Sequence, residues 1–366
     1  MQWREGVVVQ EVREWPGAVE YAVRLASTDG SGSEVRALAY TAMVGRPVPG
    51  DRVILNASAL LKGLGTGGLA FVVAIPDRLP EDVRDSPGHI VKARYTPQQQ
   101  MFLAVDEQDS IHHDALVQAD SVDGMPVVVA DLHSALPAII AGVRLARPDA
   151  RIAYVMTDGG ALPLAFSRAV AGLKDAGWLS ATLTVGQAFG GDHEAVSLHS
   201  GLLAATHVVG ADVTIVAQGP GNVGTGTRWG YSGVSAADAL HASHVLGGTS
   251  IAALRVSGGD PRPRHRGISH HSTTAYGKAL LSPAIVPVIA GGGELAAVVR
   301  RQASELAADS RADLDVVEIG TEGVLEALRQ SPVKLSTMGR GLTEDPSAFL
   351  YSAIAGVCAA QRISGR

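Results

Sequence analysis

Cysteine is nearly missing from this chain. Cys358 stands alone, so no intrachain disulfide can form, and the expected setting is the reducing cytoplasm. Cys358 lies in a small-residue apolar stretch, AIAGVCAAQ, which reads as buried and inert. Charge is also sparse. Only 18% of residues are charged and the net balance is −6. A general nucleic-acid binder needs a broad basic face, so nucleic acid is not an expected partner. No run of about 18 uninterrupted apolar residues occurs, so no helical membrane span is expected. The opening residues MQWREGVVVQ carry Arg4 and Glu5 before only a short apolar run, which is not a secretory pattern. Three catalytic signatures are missing too. There is no G-x-S-x-G elbow at a strand exit, no G-x-x-x-x-G-K-[ST] loop and no H-E-x-x-H.

Apolar residues and glycine are abundant. They make up 46% of the chain and 43 of its 366 residues, respectively. This is a globular composition, and the length suffices for two or three domains. Glycines cluster just after apolar runs, which points to tight strand exits. Residues 1–75 read as a small all-β domain, a barrel or a sandwich. Its strands are Gly6–Glu11, Val19–Ala26, Glu34–Met43, Asp51–Asn56 and Leu69–Ala74, separated by turn signals at Trp15-Pro16-Gly17, Asp29-Gly30-Ser31-Gly32 and Pro49-Gly50-Asp51. Residues 76–124 are polar and irregular, and read as a connecting segment.

From residue 125 to 366 strand and helix patterns alternate. Apolar runs fall at Val127–Ala130, Arg151–Met156, Ala181–Val185, Val213–Ala217, Ser250–Val256, Ile285–Ala290 and Asp315–Ile319. The expected fold is therefore α/β: a three-layer domain with a mostly parallel sheet, following the small β-domain. A short repeat supports this. VADLHSALP (Val129–Pro137) is echoed by VMTDGGALP (Val155–Pro163), each reading as a strand exit followed by a helix with proline in its first turn. Asp345-Pro346 opens a C-terminal helix, with Asp345 as its N-cap.

Ligands of an open parallel sheet sit beyond the carboxyl ends of its strands. Five successive exits here deliver polar residues: Asp131 and His133; Thr157, Asp158, Gly159 and Gly160; Gly190, Gly191, Asp192, His193 and Glu194; the loop Gly219–Thr227 with Arg228; and Gly258, Gly259 and Asp260 leading to Arg266, Ser269, His270 and His271. We expect these exits to line one cleft. Asp131, His133, Asp158 and His270 are the candidates for acid–base chemistry. Asp131, His133, Asp192 and His193 are the leading metal ligands. Asp158, His270 and His271 extend a nitrogen and oxygen set suited to zinc, manganese or iron. Blander roles stand beside each. Asp131, Asp158 and Asp192 can cap helices, and His133 can be a satisfied buried histidine. Asp238, His241 and His244 share a helix face, either as a second ligand cluster or as a polar face. His199 and His207 read as structural. The knot Arg262, Arg264, His265 and Arg266 reads as a solvated loop or an anion-binding one.

Gly219-Pro220-Gly221-Asn222-Val223-Gly224 fits the G-x-G-x-x-G spacing. A dinucleotide turn places its third glycine inside a helix and an acid about 20 residues on. Here Thr225-Gly226-Thr227-Arg228-Trp229-Gly230 follows instead, and Asp260 comes too late. NAD and FAD are therefore not expected. The loop reads as an anion-binding turn through Gly219, Gly221, Asn222, Gly224, Thr225 and Arg228, with Gly159, Gly160, Arg266 and His271 beside it. A purely structural turn is the other reading.

The strings TDGGALP, GPGNVGTGTRWG and RGISHHS together resemble an uncharacterised bacterial family of unknown function, over nearly the whole chain. That resemblance implies no activity, ligand or catalytic residue. Together these features point to an enzyme, a hydrolase or group transferase acting on a small anionic metabolite at the sheet's carboxyl edge. A divalent metal is a candidate cofactor. Two other classes stand against it: a non-catalytic anion-binding protein whose β-barrel is an interaction module, and an assembly protein whose glycines serve close packing. A small-molecule ligand is the expected partner, no membrane is expected, and a homo-oligomer stays open.

Overall fold

The computed structural model of the chain describes residues 1–26, 32–64, 67–82 and 87–363. The expected turn at Asp29-Gly30-Ser31 lies outside them. The chain divides into two compact units, Met1–Pro87 with Ala93–Met101, and Gly88–Lys92 with Phe102–Arg366. The polar segment 76–124 is thus shared between the units. It holds the short strands β6 (Ile90–Lys92) and β7 (Gln100–Phe102) and the single turn α3 (His113–Leu116).

In the first unit, β1 (Trp3–Trp15), β2 (Ala18–Leu25), β3 (Glu34–Tyr40), β4 (Arg52–Asn56) and β5 (Ala70–Ala74) accompany the short helices α1 (Thr41–Val44) and α2 (Ser58–Leu61). The strands close into a barrel in the order β1-β2-β3-β5-β4. β3 and β5 run parallel, while the pairings of β1 with β2 and with β4 are antiparallel. This is the connectivity of an OB-type Greek-key barrel. Of barrel and sandwich, the barrel forms because β1 is long and bulged, with register shifts at Val8/Gln10 and Glu11/Arg13. Bulges bend a strand, and this one pairs with both β2 and β4. Val19, Tyr21 and Val23 of β2 and Val53 and Leu55 of β4 fill the interior.

The second unit is built on eight parallel strands. They are β8 (Pro126–Ala130), β9 (Ile152–Thr157), β10 (Ala181–Thr184), β11 (His193–Glu194), β12 (Val213–Gln218) and β13 (Thr249–Ala252), then, after a ribbon of β14 (Val256–Ser257) and β15 (Gly267–Ile268), β16 (Ala284–Ile289) and β17 (Leu314–Ile319). Their order is β11-β10-β9-β12-β8-β13-β16-β17. β8 and β12 are buried along their whole length. Layers on both faces require this, and it explains why the two strands read as unbroken apolar runs.

The helices are α4 (Leu136–Ala146), α5 (Arg168–Asp175), α6 (Leu198–His207), α7 (Ala236–Val245), α8 (His270–Thr274), α9 (Glu294–Asp309), α10 (Val324–Arg329) and α11 (Pro346–Ala360). α4, α10 and α11 pack together on one face, with α11 on β8, β13 and β16; α6 and α7 pack together on the other, with α7 on β8 and β13. α4 and α11 touch backbone to backbone. A Cβ on Gly142 would lie 1.9 Å from the Ala353 carbonyl oxygen, and one on Gly356 2.0 Å from that of Ile139. The chain leaves β8 for α4 on one face, whereas it leaves the neighbouring strand β12 for α7 on the other. The carboxyl end of β8 is therefore a topological switch point, where open sheets bind ligands.

Four local expectations need correction. The run Ser250–Val256 splits into β13 and β14. Asp192-His193-Glu194 does not start a helix. His193 and Glu194 form the edge strand β11, and α6 is capped by Ser197 in a reciprocal capping box with Ser200. Pro163 does not open an α-helix either. It stays extended, bridged to Phe189, and α5 begins after the Ser167 cap. Asp345 does hold the N-cap position of α11, but its carboxylate accepts bonds from Ser257, Ser347 and Arg340 rather than capping.

Candidate functional site

β8 delivers Asp131 to the switch point, where it is 4% exposed. Gly233, on the turn leading to α7, packs against it; a Cβ there would lie 3.0 Å from Asp131 Cβ. Gln218, at the end of β12, donates from Nε2 to the Asp131 carbonyl at 2.9 Å. Asp131 Oδ2 makes no hydrogen bond, although it is buried. Arg255 Nη1 lies 3.7 Å from it and His271 Nδ1 3.5 Å. Gln218 Oε1 and His270 Nε2 are also buried without a partner. Of six such side-chain atoms among the described residues, three gather at this edge. Buried polar atoms are almost always paired, so the clustering makes this edge the candidate site. Two small cavities touch Asp131. One, of about 30 Å³, lies toward Ser134, Arg255 and Ser352, and the other, of about 10 Å³, toward Thr157, Gln218 and Ser235. Each holds about a water's volume.

Beyond β13 the chain turns through Arg255 into the β14–β15 ribbon, then enters α8 through Ser269. Ser269 Oγ bonds the His271 N–H at 3.3 Å and His265 Nδ1 at 2.7 Å. One hydroxyl thus starts the helix and orients a buried ring. Arg255 Nη1 donates to His271 Nδ1 at 2.9 Å; a guanidinium only donates, so that nitrogen carries the lone pair. Tyr231 stacks on the His271 ring, with centroids 4.0 Å apart and an interplanar angle of 8°, and donates its hydroxyl proton to the His271 carbonyl at 2.7 Å. The His265, His270 and His271 rings crowd together, with centroids 4.4 to 5.3 Å apart. Burial, then the charges of Arg255 and Arg262, hold His265 down at about 3. Burial and the neighbouring His271 hold His270 at about 4. Both rings are neutral at pH 7.

The other expected residues stand elsewhere. His133 meets Tyr154 Oη at 3.0 Å through Nδ1 and Ser167 Oγ at 2.7 Å through Nε2. The Tyr154 hydroxyl donates onward to the Ala217 carbonyl, so both ring nitrogens are engaged and neither is free for a metal. Asp158 is exposed and turns away from β8, accepting from Gln187 N at 2.9 Å. Asp192 accepts from Thr182 and Lys174 beside β10; burial raises its pKa, but those donors outweigh it and lower it. His193 packs edge-on to His112. β11 lies four strands from β8, about 19 Å at ordinary strand spacing, so Asp192 and His193 cannot share an ion with Asp131. On α7, Asp238 and His244 are exposed and His241 accepts from Leu281 N. His207 bonds the Ser121 carbonyl.

The glycine loop closes on itself. Thr225 N donates to the Gly230 carbonyl at 2.7 Å, and Thr225 Oγ1 meets Thr227 Oγ1 at 2.9 Å. Asn222 accepts from Ser232 at 2.8 Å. Gly221, Gly224, Thr225 and Arg228 are exposed. The glycines at its base serve close packing. A Cβ on Gly160 would lie 2.1 Å from the Gly219 carbonyl oxygen, and one on Gly159 2.5 Å from Gln218 Oε1. The two strand exits therefore cross backbone on backbone, clinched by Ala161 N to the Pro220 carbonyl at 2.7 Å. Arg266 is exposed, and its Nε reaches the Asp260 carbonyl at 3.3 Å.

The structure thus brings together Asp131, His270 and His271, and adds Gln218, Tyr231, Arg255 and His265. His265 carried a signal only as part of PRPRHRG. Arg255 lay inside the expected run Ser250–Val256 and Gln218 closed another apolar run, so neither stood out. Tyr231 had no signal, being set by a loop closing over α8.

The fold defines a general class, that of α/β proteins with a parallel sheet covered on both faces, here with a buried polar cluster at the switch point. The chain belongs to the protein family of unknown function DUF3866, which matches residues 36–356. No curated protein and no solved structure matches it. Among the described residues, no helix is long and apolar enough to cross a membrane.

Proposed function

We propose that the chain is an enzyme, a hydrolase or group transferase, acting on a small anionic metabolite at the carboxyl end of β8. One observation carries this reading: Asp131 Oδ2, Gln218 Oε1 and His270 Nε2 are buried there without partners, beside Arg255. Leaving such groups unpaired costs about 1–3 kcal/mol each, and strain of that kind is kept where a ligand relieves it. Arg255 supplies the charge for the anion, and Asp131 with a neutral histidine supplies acid–base chemistry. The adjoining cavities admit a reacting group rather than a whole substrate. The same reading places the protein in a bacterial cytoplasm, in keeping with its lone, buried Cys358.

The test is a panel of phosphate and carboxylate esters, p-nitrophenyl phosphate among them, assayed with wild type, Asp131→Asn and Arg255→Met. Turnover that falls at least about 100-fold in Asp131→Asn, with unchanged circular dichroism, supports the reading. Equal turnover in all three removes these residues. Thermal stabilisation by phosphate without turnover, lost in Arg255→Met, replaces the enzyme with an anion-binding protein.

A further inference from the structure

The metal set expected from the sequence does not assemble, but another set does. One nitrogen from each of His265, His270 and His271 lies within 4.8 Å of the other two, a grouping that stands alone among the described residues. We propose that these three histidines bind a divalent first-row transition-metal ion of the zinc class.

Two of the three rings are held by neighbours, and the third offers an unpaired nitrogen. His265 is oriented by Ser269, His271 is clamped between Tyr231 and Arg255, and His270 leaves Nε2 buried and unbonded. Metal-binding histidines are oriented through their second nitrogen, as His265 is by Ser269. Asp131 Oδ2, 3.5 Å from His271 Nδ1, is an acceptor without a donor. Nδ1 of His271 already accepts from Arg255, so this oxygen stays an open acceptor at the edge of the cluster. Of the cations nearby, Arg255 faces Asp131 and Arg262 is tied to Asp260 through two bonds of 2.9 and 2.8 Å, while Arg264 adds positive charge beside His270. Around zinc, ligand nitrogens stand about 3.4 Å apart at the usual bond length, so the rings close in by about an ångström. Three imidazoles favour a borderline ion over magnesium or calcium, which take oxygen. A fourth position stays open for water or a substrate oxygen.

The ion's catalytic meaning rests on the reading above, but its binding does not, so the two can fail separately. The full chain is stripped with a chelator, dialysed and titrated with Zn²⁺ by calorimetry. Wild type should bind one ion per chain. His270→Ala and His265→Ala should weaken binding at least about 100-fold, while His193→Ala should bind as wild type does. No binding by wild type overturns the site, and so does wild-type affinity in a folded His270→Ala. If both cluster variants fail to fold, Co²⁺ is added to the wild type. Visible absorption of a nitrogen- and oxygen-coordinated ion supports the proposal, and its absence overturns it.

Discussion

Two buried polar clusters sit in the same sheet and differ in one respect. Near the β10–β11 edge, Lys92 is fully buried and its ammonium reaches the Thr184 and Ala188 carbonyls, each at 2.8 Å, and Glu194 Oε2 at 2.7 Å. Glu194 also accepts from Thr184 Oγ1 at 2.7 Å and from Gly190 N at 2.6 Å. Burial lowers the Lys92 pKa and raises that of Glu194, yet every polar atom of the pair has a partner. At the carboxyl end of β8, Asp131, Gln218 and His270 each keep an atom without one. The first cluster is closed and serves the fold. The second is open, with bonding capacity that the fold leaves unmet.

The contrast can be broken first where it is strongest. Lys92→Met strands Glu194 in the interior and should cost about 3–5 kcal/mol, read as a fall in the urea midpoint. Lys92→Met with Glu194→Leu should recover much of that loss. A double variant as unstable as the single would show that the closed cluster is more than a pair. Next comes the crossing of the loops beside the open cluster. Gly160→Ala forces a methyl against the Gly219 carbonyl and should cost about 1–3 kcal/mol, measured by chemical denaturation; a neutral effect would mean that the crossing is slack.

A third closed group sharpens the comparison through pH. Arg262 hydrogen bonds hold the Asp260 carboxyl below the usual range. Burial raises that of Asp345, but bonds from Ser257, Ser347, Gly258 and Arg340 outweigh it. Acids depressed in the folded state stabilise it above the unfolded carboxylate pKa of about 4, and that stability is lost as pH falls through the folded values. The urea midpoint should therefore drop on acidification below about pH 4, and Asp345→Asn should flatten the slope; a parallel slope would remove Asp345. The smallest change is expected at the open cluster. In the metal-stripped protein, His270→Phe deletes an unpaired buried nitrogen and should leave stability within about 1 kcal/mol of wild type, on either side. A loss of several kcal/mol would make that cluster structural.

Much of the α/β unit was legible because β8 and β12 are covered on both faces and so appear as unbroken apolar runs. β11 was not, since two residues at an edge carry no period. The barrel's strands were readable from turns and alternation, but closure depends on β1 meeting β4, a pairing far apart in sequence. At the site, Asp131, His270 and His271 stood out as polar residues at strand exits. Asp158, Asp192 and His193 carried the same signal and went elsewhere, because exit position does not reveal which exits are neighbours.

By itself the sequence determined where strands end and what stands there, since burial period, glycine and capping chemistry act over a few residues. Only the tertiary structure decided that β12 and β13 flank β8, and hence that Arg255 and His271 stand beside Asp131. That order arises from packing two helix layers on one sheet. Its contacts join residues more than a hundred positions apart, beyond the reach of any local pattern.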